Sequence, residues 1–213
     1  MAGSVIKHMA VIPAYRIVTP QLVIRCYDPA DAIMLQSAVT ESLEHLLPWM
    51  PWAAAEPEPV DAKIERLRHF RANFDLGQDF VYGIFNPQEN RLIGGTGLHT
   101  RIGGNALEIG YWIHRDFTHH GYATETSAAL TKVAFEINKV ERVEIHCAVE
   151  NVRSAAVPRK LGFSHEGTLR RRSFANGHPC DQMVWSLFAD EYPNSLCSKI
   201  EIAAYDAAGR RMI

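Results

Sequence analysis

Residues 108–124 read Glu108-Ile109-Gly110-Tyr111-Trp112-Ile113-His114-Arg115-Asp116-Phe117-Thr118-His119-His120-Gly121-Tyr122-Ala123-Thr124, and their character changes partway along. Leu107 to Ile113 is a short run of β-branched and aromatic residues, as in a strand. From Tyr122 to about Ile137 the apolar positions take helical spacing. Between them lies a histidine-rich loop that ends in Gly121. Glycine at such a junction lets backbone amides approach a ligand, and the helix start presents unpaired N–H groups and the positive end of its dipole. Phosphate would bind there. Taken alone, however, one glycine at a helix start reads more readily as a plain turn.

Working outward, the N-terminal side predicts a first strand at Leu22, Ile24 and Cys26, a helix from Ala30 to Leu47, and a second amphipathic helix from Asp61 to Leu76 stopped by Gly77. Between the helices, Leu47-Pro48-Trp49-Met50-Pro51-Trp52 cannot be regular helix, because two prolines remove donors and restrict their predecessors. Its tryptophans read equally as a lid over the core or as the lining of an acceptor pocket. Phe80 to Phe85, Arg91 to His99 and Leu107 to Ile113 form an antiparallel meander joined at Asn86-Pro87-Gln88-Glu89-Asn90 and Gly103-Gly104-Asn105. Downstream come a strand from Val140 to Val149, a short helix from about Arg153, and a strand from Phe163 to Arg172. Asn176-Gly177 then turns the chain back through Met183, Trp185 and Leu187.

The 213 residues contain 22 basic and 24 acidic side chains, a balance that supplies no electrostatic footprint for nucleic acid or anionic membrane. Arg170-Arg171-Arg172 is too short a run to change that, and reads as solvated surface. Cys26, Cys147, Cys180 and Cys197 are scattered without C-x-x-C pairing, the pattern of reduced thiols in a cytoplasmic protein. With no leader and no apolar run near 18 residues, neither secretion nor membrane spanning is expected. Residues 1–8 read as a cloning scar or a disordered N-terminus, residues 9–190 as one domain, and residues 191–213 as a C-terminal appendage without a packing stripe.

Four segments in order, Glu108-Ile109-Gly110-Tyr111-Trp112-Ile113, Gly121-Tyr122-Ala123-Thr124-Glu125, Asn151-Val152-Arg153-Ser154 and Lys160-Leu161-Gly162-Phe163, resemble the RimJ/RimL-type branch of the GNAT acetyltransferases. The helix pair and the Pro-Trp loop are also typical of that branch, so the resemblance covers roughly residues 19 to 190. It implies an α+β GNAT fold, a mixed, mostly antiparallel, splayed sheet of about seven strands flanked by helices. It further implies direct transfer of an acetyl group from acetyl-CoA to a primary amine, either a protein N-terminal α-amine or the amine of a small molecule. Trp112, Ile113, His114, Thr118, His119, His120, Gly121, Tyr122, Ala123, Thr124, Asn151 and Ser154 are then the cofactor-binding candidates. Thr118 fills the place where the family carries Gln or Arg. His119 stands where relatives often have another glycine, so recognition is expected to rest on main-chain amides.

Amide formation needs a neutral amine, a polarised carbonyl and a protonated leaving thiolate. Glu108 is the candidate base, against the plainer reading of an outward-facing strand charge. The Ile113 N–H is the candidate for the acetyl oxygen. Pro158 occupies the position at which many GNAT proteins place a tyrosine acid, which leaves Ser154 to serve the leaving sulfur. Since Pro158 cannot donate to the Ser154 carbonyl, that oxygen should turn toward cofactor or water. Trp49, Trp52 and Tyr111 are the candidate acceptor-binding aromatics.

Three alternatives fit the sequence less well. A non-catalytic acyl-CoA-binding module is motivated by Thr118, His119 and Pro158. A metal cluster at His114, His119 and His120 lacks a recognised ligand spacing, and no metal is expected. A Cys147 acetyl-enzyme is disfavoured against a small apolar strand residue. The protein is expected to be a monomer or homodimer.

Overall fold

A computed structural model describes residues 13–175 and 177–213. The expectations for residues 1–8, and for Asn176 as half of a hairpin turn, lie outside the described residues. Gly177, the other half of that turn, has φ 76°.

In chain order the elements are β1 (Arg16–Val18), β2 (Val23–Cys26), α1 (Ala32–Leu46), α2 (Val60–Asp75), β3 (Phe80–Phe85), β4 (Leu92–His99) and β5 (Ala106–Ile113). They continue with α3 (Tyr122–Glu136), β6 (Arg142–Ala148), α4 (Val152–Leu161), β7 (Ser164–Ala175), β8 (His178–Phe188) and β9 (Ala203–Tyr205). One nine-stranded sheet results, in the order β7-β8-β6-β5-β4-β3-β2-β1-β9. The sequence predicts about seven strands; the additional two, β1 and β9, are three residues each. Strands that short cannot display an alternating pattern.

Alternation along the strands divides the core between the two sheet faces. Leu107, Ile109 and Ile113 of β5 join Ala129, Leu130 and Val133 of α3 and Ala155 and Leu161 of α4. On the other face Val23 and Phe85 pack with Leu35 and Val39 of α1 and Leu67 of α2.

All neighbouring strands are antiparallel except β5 and β6, which run parallel. Their pairing runs only from Ala106↔Arg142 to Ile109↔Ile145. Beyond it β5 stays with β4 as far as Gly94↔Ile113, and β6 stays with β8 as far as Ala148↔Gln182. The sheet therefore splits, leaving a V between residues 110–113 and 146–148.

The chain after Phe188 is more than a tail laid on the surface. Cys197 and Ala204 are fully buried, and Ile200, Ile202, Met212 and Ile213 pack against the main core. β9 pairs with β1 and covers what would otherwise be a sheet edge. Short turns and single apolar contacts carry this packing, so no periodic stripe marks it in the sequence.

Candidate active site

Two clefts open on either side of the V. One, of about 610 Å³, runs from the loop before α3 to the face of α4. The other, of about 710 Å³, lies over β4 and β5 beneath α1, α2 and the Pro-Trp loop. Both are walled by Trp49, Met50, Tyr111, Trp112, Asn151 and Ser154, so they meet at the splayed strand ends.

The first cleft has the features an anionic group requires. Gly121 caps α3 at φ 83° and contributes no side-chain cap, while the first helical bond is Glu125 N–H to Gly121 O. The amides at 122–124 thus lack helical partners and stand at the positive end of a fifteen-residue helix. His119 has φ 66°, the left-handed conformation expected at a glycine-like position. Arg153 and Lys160 reach the same cleft from α4, and among the described residues neither forms an ion pair. In the sequence they stand only within the family-like segments, although two cations on one short helix facing a glycine loop carry a phosphate signal of their own.

Trp112, Ile113, Thr118, His119, Gly121, Tyr122, Ala123, Thr124, Asn151 and Ser154 all wall this cleft. His114 and His120 do not. His120 stacks on Tyr122 at 5.5 Å, with Nδ1 2.8 Å from the Thr118 carbonyl. His114 is buried beneath the loop; its Nδ1 accepts from Asp116 N–H and its Nε2 lies 3.2 Å from Glu41. Among the described residues, Glu41, His114 and Asp116 are the one group close enough to share a metal, with ligand atoms within 4.8 Å. Both His114 nitrogens already have protein partners there, and His119 and His120 take no part.

At the junction, Pro158 lies inside α4. Having no N–H, it leaves the Ser154 carbonyl without its helical donor, and Tyr111 Oη donates to that carbonyl at 3.1 Å. Tyr111 Oη also lies 3.0 Å from Ser154 Oγ. The oxygen expected to face cofactor or water thus holds Tyr111. Burial raises the Tyr111 phenol well above its ordinary pKa, against a smaller opposing effect of the Ser154 bond. Burial likewise raises Cys147 above its ordinary value, with bonds to Ser154 and Trp185 opposing, so the thiol stays protonated and is a poor nucleophile. The Asn151 side chain accepts from Ser154 N–H at 3.1 Å and caps α4.

The strand alternation fixes where main-chain donors point. His114 N–H bonds Ile93 O on β4, so the Ile113 and Tyr111 amides, one residue out of phase, turn toward the gap left by β6.

In the second cleft, Trp52 packs edge-on against Trp112 at 6.1 Å, and Trp49 and Tyr111 stand nearby along the wall. Glu108 is almost fully buried on the floor, and both its oxygens are taken by Arg101, at 2.8 and 2.5 Å. Burial alone would raise its pKa; the Arg101 hydrogen bonds and charge, with His146 and His99, overcome that and hold it below the ordinary carboxylate value. His99, Asp79 and His146 line the same floor, and no sequence motif marks them. They fall on strands and turns whose pattern signals only structure, so nothing linear connects them.

The chain matches the acetyltransferase (GNAT) domain model over residues 21–164. It is 30% identical over 177 residues to a Bacillus subtilis protein described as "Putative ribosomal N-acetyltransferase YdaF", covering 82% of this chain and 95% of that one. It is 24% identical over 186 residues to the Escherichia coli [ribosomal protein uS5]-alanine N-acetyltransferase, covering 85% and 94%. Among solved structures, RimL, the ribosomal L7/L12 alpha-N-protein acetyltransferase in complex with coenzyme A, superposes with a TM-score of 0.73 at 22% identity over 84% of this chain and 98% of that one. With a family model spanning most of its length and a splayed sheet between two meeting clefts, the chain belongs to the GNAT family of N-acetyltransferases.

Proposed function

We propose that the protein transfers the acetyl group of acetyl-CoA to the N-terminal α-amine of a protein, of the ribosomal class named for its relatives. The observation that carries this reading is the meeting of a phosphate-adapted cleft with a separate, aromatic-walled cleft at one point of the sheet. A two-substrate transfer needs such a junction; a storage or carrier module does not.

Acetyl-CoA supplies the activated acetyl group. On this reading its phosphates would be held by the amides at 122–124, by the loop through Thr118 and His119, and by Arg153 and Lys160. Tyr111, Trp112, Ile113 and Asn151 would wall its pantetheine arm, with the Ile113 N–H turned toward the acetyl oxygen. Hydrogen-bond donation at that oxygen stabilises charge that develops during transfer. Ser154 Oγ, held by Tyr111, lies at the junction and is the candidate to protonate the departing sulfur. Trp49 and Trp52 screen the junction from water, which favours the amine as acceptor. Direct transfer suits a cleft whose one cysteine, Cys147, is kept as thiol.

The test is release of free thiol from acetyl-CoA in the presence of three acceptor classes. These are short peptides beginning Ala or Ser with a free α-amine, the same peptides blocked at the N-terminus but carrying lysine, and small polyamines. Thiol release with the free-N-terminus peptides alone is expected. Release only with lysine or polyamines would overturn the acceptor class, and coenzyme A binding without release on any amine would favour the non-catalytic module.

A further inference from the structure

The floor of the acceptor cleft is the face of β4 and β5 that carries Gly95, Gly97 and Gly110. A Cβ on Gly97 would stand 2.6 Å from His99 Nε2, and one on Gly110 would stand 3.3 Å from it. The imidazole therefore lies across the sheet in room that only glycine leaves. Its other nitrogen, Nδ1, sits 2.9 and 3.1 Å from the two carboxylate oxygens of Asp79. An ionised carboxylate only accepts, so this contact assigns the proton to Nδ1 and leaves the Nε2 lone pair on the cleft side.

The other groups on the floor are committed elsewhere. Glu108 has both oxygens in the Arg101 fork. His146 stands between two carboxylates, its Nε2 2.6 Å from Glu144 and its Nδ1 3.8 Å from Glu108. Only His99 combines an orienting carboxylate on one nitrogen with an uncommitted second nitrogen beside Gly110, two residues along β5 from Trp112 at the junction.

We propose that His99, oriented by Asp79, is the base that accepts the proton of the acceptor ammonium, with Arg101 and Glu108 a fixed ion pair beside it. This assignment rests on the acetyl-transfer reading. The ammonium N–H bond breaks, its electron pair remains on nitrogen, and the proton passes to Nε2 directly or across one water. The imidazolium keeps its Nδ1–H on Asp79 and later returns the Nε2 proton to solvent. The charged or titratable groups that line the cleft with it are Asp79 from the α2–β3 segment, Arg101 from the β4–β5 turn, Glu108 and Tyr111 from β5, and His146 and Cys147 from β6, together with Tyr27, with Lys63 and Arg66 of α2, and with Arg172 of β7.

The experiment measures thiol release from acetyl-CoA and an Ala-initiated peptide between pH 6 and 10 for wild type, His99→Ala, Asp79→Asn and Glu108→Gln. Calorimetric coenzyme A affinity serves as the folding control, and NMR reads the His99 ring tautomer in the ligand-free protein. At pH 7, His99→Ala is expected to lose about 10²-fold in kcat, the usual weight of a positioned base, with coenzyme A affinity unchanged. The deficit should close as pH passes about 8, where an α-amine sheds its own proton, and added imidazole should restore part of the rate. A purely structural role would give a pH-independent loss without rescue, and that outcome overturns the proposal. The ring should be the Nδ1–H tautomer in wild type and lose that preference in Asp79→Asn; an Nε2–H tautomer overturns it. So does a Glu108→Gln loss that is as large as that of His99→Ala and closes with pH in the same way. Wild type inactive on every amine overturns the acetyl-transfer reading and this assignment with it; active wild type with an unaffected His99→Ala overturns the assignment alone.

Discussion

Glu108 is legible as a candidate base from its place on the strand before the Gly121 loop, but what its carboxylate does depends on Arg101, seven residues earlier across a turn. Linear sequence cannot show such a pairing, because the β4–β5 turn decides whether the two meet. Its folded-state pKa is depressed below 4.5, so its contribution to stability is present above the ordinary carboxylate pKa and lost as pH falls through the depressed value. Arg101→Gln should therefore lower Tm most above about pH 5, and the gap to wild type should vanish toward the acid end, as read by thermal unfolding across pH 3–7. His119 makes a different point. Its position opposite a usual glycine was legible, and φ 66° follows from it. A β-branched side chain fits that region worse than His does. His119→Val should cost about 1–2 kcal/mol, at roughly 2–4 °C per kcal/mol in a chain of this size. His119→Gly should retain both the fold and coenzyme A affinity, measured by calorimetry.

At the scale of elements, α1 to α4 and strands β2 to β8 are readable, because an apolar period or a flanking turn marks each of them. Even Pro158 is legible as a freed Ser154 carbonyl; its partner is not, because Tyr111 lies forty-three residues away on β5. That pairing ties α4 to the splayed end of β5. Pro158→Ala restores an N–H able to bond the Ser154 carbonyl within the helix and removes the ring clash. Tm should then rise, while Tyr111 loses an acceptor and the Ser154 hydroxyl loses its fixed partner. A kcat lower by about tenfold, roughly 1.4 kcal/mol in the barrier, is expected in the thiol-release assay. A rise in Tm with unchanged kcat would show that the tie is structural only.

Across the whole molecule, the last twenty-odd residues close the structure, although their sequence reads as an appendage. Ending the chain at Asp190 strips β9 from β1 and uncovers Phe135, on which Tyr192 packs at 4.9 Å. An uncovered edge strand invites pairing with other chains, so the shortened protein should unfold at lower temperature and scatter light on heating, where the full chain does not. The lone parallel pairing has a further, mechanical consequence. Among the described residues, four residue pairs between β5 and β6 are the only ladder joining the leaf β9-β1-β2-β3-β4-β5 to the leaf β6-β8-β7. Such a sheet is stiff within each leaf and compliant across the seam, like a board scored along one line. A molecule wedged in the V replaces missing ladder bonds and acts as a spline, so coenzyme A should slow amide hydrogen exchange at 106–113 and 142–148 together, on strands 29 or more residues apart in the chain.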